Sequence, residues 1–115
     1  MITTEINITG VNKELLTKSL EKEYGCEYTF SSKDILVMIR EEFYFRISSN
    51  LLTTIILDLS NEDTCHIEIT SGGGAYGIIG IDWGAEGSNN KKIVKFIKKL
   101  CEDNKWEIEN ITNNE

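Results

Sequence analysis

Thr54 to Thr70 reads TIILDLSNEDTCHIEIT, and the phase of this stretch decides the fold. Ile55, Leu57 and Leu59 alternate with Thr54, Ile56 and Asp58. Cys65, Ile67 and Ile69 alternate with His66, Glu68 and Thr70. A period of two is the mark of a strand with one buried face. The polar link from Ser60 to Asp63 is too short for a crossover, so the two strands form an antiparallel hairpin.

The pattern continues on both sides. Upstream, Ile35 to Arg40 is nearly all apolar and predicts a central strand. Phe43, Phe45 and Ile47 alternate with Tyr44, Arg46 and Ser48, with Glu41-Glu42 and Ser48-Ser49-Asn50 as links. Residues 26–30 predict a further short strand. At the N-terminus, Ile2, Thr4, Ile6 and Ile8 face one way and Thr3, Glu5 and Asn7 the other, giving a half-buried strand that Gly10 ends. Asn12 is placed to cap a helix over 13–24, with Val11 as a staple on Leu16. Its buried stripe is Leu16, Leu20 and Tyr24, and Gly25 is its left-handed stop.

Downstream, Ser71 to Ser88 holds seven of the chain's nine glycines, which marks it as loop-rich. Gly72 to Gly74 predict a turn, Tyr76 to Trp83 a strand containing Gly80, and Gly84 to Gly87 a second loop. Ser88 or Asn89 then caps a helix through about residue 103, with Ile93, Phe96, Ile97, Leu100 and Cys101 on its core face. Trp106 and Ile108 predict a last short strand, and the polar tail 110–115 is expected to fray. The order is strand, helix, a meander of four or five strands, helix, strand. It predicts an α+β domain over residues 1–115, an antiparallel sheet with two helices on one face. TATA-binding-like and helix-grip-like folds share this order, a likeness that carries no function.

The bulk properties exclude several roles. At 115 residues the chain supports one core. A net charge of −7 opposes unaided binding to nucleic acid or to an anionic membrane. No apolar run approaches the ~20 residues of a membrane span, and the N-terminus lacks the order of a signal peptide. The expected location is the cytoplasm. Cys26, Cys65 and Cys101 form no C-x-x-C pair, so neither a zinc site nor a redox motif is expected, and the thiols read as reduced and buried. No metal and no cofactor are expected.

Candidate chemistry concentrates in the glycine stretch. Gly72-Gly73-Gly74-Ala75-Tyr76-Gly77 satisfies G-x-G-x-x-G, but a dinucleotide site requires a helix to follow, and here a strand is predicted. The loop Gly84 to Asn89 leads into a helix N-terminus, an anion-binding geometry that Asp82 and Glu86 oppose. Asp82 and Glu86 are also the ingredients of acid–base chemistry if they share a cleft. His66, the only histidine, reads as an ordinary exposed residue with no nucleophile tied to it. Lys91, Lys92, Lys95, Lys98 and Lys99 read as a solvated helix face. Tyr44 and Arg46, residue types favoured at binding hot spots, are expected on the open sheet face with Thr54, Asp58, His66 and Glu68.

Three segments carry a resemblance: Glu42-Phe43-Tyr44-Phe45-Arg46, Gly72-Gly73-Gly74, and Asp82-Trp83-Gly84-Ala85-Glu86. Across roughly residues 35–103 the chain resembles a family of small bacterial domains without established activity. They share an acidic-aromatic-aromatic-x-Arg segment, a glycine triplet and an Asp/Ser-Trp-Gly-[AS]-Glu segment before the last helix. The resemblance implies marked positions at Arg46, Gly72 to Gly74, Asp82, Trp83, Gly84 and Glu86.

The expected function is non-catalytic binding of a small ligand or a protein through Tyr44, Arg46, Gly72, Gly73, Gly74, Asp82, Trp83, Gly84 and Glu86. The alternatives are a hydrolase using Asp82 and Glu86, and a homodimer formed through an edge strand or the open sheet face.

Overall fold

The computed structural model describes residues 2–25, 27–44, 49–73 and 85–114. The elements are β1 (Ile2–Thr9), α1 (Lys13–Tyr24), β2 (Tyr28–Ser32), β3 (Ile35–Tyr44), β4 (Ser49–Asp58), β5 (Thr64–Gly73), α2 (Ala85–Asn104) and β6 (Glu107–Asn114). The strands form one sheet in the order β2-β3-β4-β5-β1-β6, and every neighbouring pair is antiparallel. This is an α+β fold, as the alternation predicts.

Register shows how one face became the core. Ile6 lies opposite Ile67, Ile67 opposite Leu57, and Leu57 opposite Leu36, so one row of apolar side chains crosses four strands. A second row runs through Thr4, Ile69, Ile55 and Met38. Ile6, Leu57, Ile67, Ile69 and Met38 are fully buried. Leu16 and Leu20 of α1 and Ile93, Ile97 and Cys101 of α2 join the same cluster, which puts both helices on this face. Each fully buried aliphatic side chain contributes roughly 1.5–3 kcal/mol relative to exposure.

The helix ends follow local chemistry. The Asn12 side chain accepts a hydrogen bond from the Leu15 N–H at 3.1 Å, and Gly25 takes the left-handed conformation while its N–H donates to the Glu21 carbonyl. At the end of α2, Lys105 is left-handed and the Trp106 N–H reaches back to the Cys101 carbonyl at 2.8 Å, a Schellman closure.

Several expectations are corrected. Glu41-Glu42 is no link: β3 is one strand from Ile35 to Tyr44, and these two glutamates pair with Leu52 and Leu51. Gly72 and Gly73 are strand residues paired with Leu52 and Leu51, not a turn. Ser88 and Asn89 lie inside α2, which begins at Ala85, and the short second strand runs over 28–32.

The C-terminal tail is a further correction. Residues 110–114 pair with β1 rather than fray, so β1 is an interior strand and β6 the edge. Asn7 pairs with Asn110 but Ile8 pairs with Ile108, which leaves Glu109 as the extra residue of a bulge. Ile108 and Ile111 are three apart and would face opposite ways on a regular strand. The bulge sets both opposite core isoleucines, Ile8 and Ile6. Removing residues 107–115 is therefore expected to lower stability by more than about 3 kcal/mol, from two half-buried isoleucines and ladder hydrogen bonds worth about 1 kcal/mol each. Urea unfolding followed by far-UV circular dichroism measures this, and a frayed tail would cost nothing.

Candidate functional site

The sequence-marked positions converge on one end of the sheet as far as the described residues reach. Tyr44 ends β3 and pairs with Ser49 at the start of β4. Leu51, two residues on, pairs with Gly73, and Ser71 pairs with Ile2. Gly87 sits over Ile2: a Cβ added to it would lie 3.5 Å from the Ile2 Cδ1. The chain leaves β5 and enters α2 at this same end. Arg46, Gly74, Asp82, Trp83 and Gly84 lie outside the described residues, as do the Glu86 side chain and the strand expected over 76–83.

A buried hydrogen-bond chain anchors α2 here. The Asn89 Nδ2 donates to Thr53 Oγ1 at 2.7 Å and to Ser71 Oγ at 2.9 Å. Ser71 Oγ donates to Asn90 Oδ1 at 2.5 Å. Asn90 Nδ2 donates to Thr4 Oγ1 and the Ile2 carbonyl, each at 3.1 Å, and to the Ile69 carbonyl at 3.3 Å. Thr4 Oγ1 then donates to Asn113 Oδ1 at 2.8 Å. From Asn89 through Ser71, Asn90 and Thr4 to Asn113 on β6 donation runs one way, so each bond polarises the next, while Asn89 also donates to Thr53 on β4. Thr4, Ser71 and Asn90 are at most 2% exposed, and at that depth unpaired polar groups are costly.

Beside this chain a groove of roughly 620 Å³ opens between α2 and the β1–β6 edge. Ile2, Val94 and Ile111 give it an apolar floor. Lys91, Lys95 and Lys98 recur at helical spacing along one wall, with Gly87 and Asn90 toward the start of α2. The five-lysine patch is thus divided: these three border the groove, while Lys99 pairs with Asp103 at 3.6 Å. The volume is that of a small-molecule site.

The open face carries a second cluster. His66 is not the ordinary exposed residue expected. Its Nδ1 lies 2.7 Å from Asn7 Oδ1, and its Nε2 lies 3.2 Å from Glu5 Oε1 and 3.5 Å from Glu68 Oε1. Ligand atoms of the three titratable residues all lie within 4.8 Å of one another. His66 and Glu68 at spacing i, i+2 were readable on one strand face. Glu5 was not, because its place depends on the β1–β5 register.

Burial pushes the Cys65 thiol up to about 12 and the Cys101 thiol up to about 11, so both are protonated and inert at neutral pH. Cys26 lies outside the described residues. No described helix is long and apolar enough to cross a membrane.

In comparisons with known proteins, no family model, curated protein or solved structure matches the chain.

The anchoring chain has a measurable weight. Asn90→Ala is expected to lose about 2 kcal/mol, since stranding buried partners costs roughly 1–3 kcal/mol. Asn61→Ala, on the exposed link between β4 and β5, should lose nothing. Equal urea midpoints for the two variants would show that the buried chain does not hold α2.

Proposed function

We propose that the chain is a non-catalytic binding module whose ligand lies in the groove between α2 and the β1–β6 edge. The ligand is a small molecule with an apolar body and an anionic group. One observation carries this: three lysines line one wall of an apolar-floored groove in a chain whose net charge is −7. Lysine ammonium groups beside low-dielectric walls attract an anion more strongly than they do in open water. The apolar floor supplies the area term, about 25 cal/mol per Å² covered.

The Asp82-Trp83-Gly84-Ala85-Glu86 segment leads into α2 at the groove's Gly87 end. Asp82, Trp83, Gly84 and Glu86 stay candidate ligand contacts because their segment runs in sequence into the start of α2, and Gly72 and Gly73 end β5 at the same end of the sheet. Tyr44 ends β3 at the same end, and Arg46 stays a candidate by its nearness in sequence. The resemblance to small bacterial domains supports attention to these positions and brings no activity with it.

The test uses decanoate and its uncharged analogue decanol, titrated into the protein by calorimetry. Decanoate is expected to bind at least tenfold more tightly. Lys95→Glu should abolish that preference, while Lys99→Glu, on the residue paired with Asp103, should leave it intact. Equal affinity for the two probes, or no binding of either, would overturn the proposal.

A further inference from the structure

On the opposite face of the sheet, we propose that Glu5, His66 and Glu68 form a site for a divalent first-row transition-metal ion. The site is independent of the groove.

The strand register is the first argument. Glu5 lies directly opposite Glu68 across the β1–β5 ladder. Like charges in that position repel and destabilise a sheet unless a cation sits between them. His66 is two residues from Glu68 on the same face, and its ring nitrogen reaches both carboxylates. Asp58, opposite His66 on β4, adds a further negative charge nearby, although its Oδ1 is held by the Ser60 N–H at 3.0 Å.

The histidine's orientation is the second argument, and residues outside the cluster fix it. Asn7 Nδ2 donates to Asn110 Oδ1 at 2.7 Å. That leaves Asn7 Oδ1 as the acceptor, so the His66 nitrogen 2.7 Å away carries the proton. In the neutral ring Nε2 then turns a lone pair toward two carboxylates, an arrangement that a metal ion or a second proton at its centre relieves. An imidazole that donates through one nitrogen to a fixed acceptor and ligates through the other is the usual second-shell pattern at metal sites.

The distances are the third. Ligands about 2.1 Å from a tetrahedral ion stand roughly 3.4 Å apart along each edge. The two edges from Nε2 measure 3.2 and 3.5 Å. One imidazole with two carboxylates suits zinc, cobalt, manganese or iron(II), and the nitrogen donor disfavours magnesium and calcium. The three side chains are about one-third exposed, which leaves further coordination positions open to solvent.

The test uses tag-free full-length protein in a Cys26→Ser background, so that this thiol does not compete. Zn²⁺ is titrated by calorimetry and followed through the ring signals of the chain's only histidine. One ion per chain is expected, with the His66 Nε2 resonance perturbed. His66→Gln should abolish binding. Asn7→Ala should weaken it 10- to 100-fold, the usual cost of losing an outer partner of a metal-bound histidine. An unperturbed ring at 1 mM Zn²⁺ would overturn the proposal and assign Nε2 a proton shared with the two glutamates. So would Zn²⁺ affinity unchanged by His66→Gln.

Discussion

Asn90 is a polar side chain placed where the hydrophobic pattern calls for an apolar one, and the placement of α2 depends on it. Its amide is almost fully buried and donates to groups on both β1 and β5, while its oxygen accepts from Ser71. Apolar packing lets a helix slide along or roll on a sheet at little cost, because dispersion contacts have weak directionality. A fully satisfied amide does not, since any shift strands several buried groups together. The core supplies most of the stability and Asn90 supplies the registration. Farther along α2, Phe96 meets Tyr24 edge-to-face at 5.7 Å, and the Arg40 guanidinium lies 5.6 Å from the Tyr24 ring centre, so the two helices and β3 are joined there by aromatic contacts.

The two faces of the sheet divide the chemistry. On the helix side, the anchored start of α2 stands beside β1 and β6 and leaves the lysine-lined groove. On the open side, alternation brings residues of β1, β5 and β6 together that are far apart in sequence. Asn110, Asn7 and His66 are successive links across three strands, and each holds the next. Both arrangements rest on β1, whose even positions face the core and the groove while its odd positions present Glu5 and Asn7.

The strands were legible where period-two alternation was clean, as in Ile2–Thr9, Ile55–Asp58 and Thr64–Thr70. The first helix was legible to its ends because Asn12 and Gly25 carry distinct capping chemistry. Other features were not. Glu41-Glu42 looked like a link because charged pairs usually interrupt strands, yet Arg40 and Glu42 form an ion pair at spacing i, i+2 within β3. Ser88 and Asn89 looked like helix caps because their side chains favour that role, and tertiary hydrogen bonding drew Asn89 into the helix. The lysine groove and the Glu5–His66–Glu68 cluster both depend on which strands are neighbours, information that local periodicity does not contain. Of the marked positions, Tyr44, Gly72 and Gly73 are placed at the sheet end.

The bulge at Glu109 has a further effect on the behaviour of the chain in concentrated solution. β6 is an edge strand with exposed backbone groups, a template onto which another molecule's strand could add. The chain contains no proline, so the commonest residue for interrupting such an edge is absent. The bulge breaks the even spacing of donors and acceptors along β6 and bends it, with Glu107 and Glu109 placing negative charge on the same run. An incoming copy would have to match an irregular ladder while bringing like charges together. The extra residue that puts two isoleucines on one side of the strand also makes β6 a poorer template for strand addition.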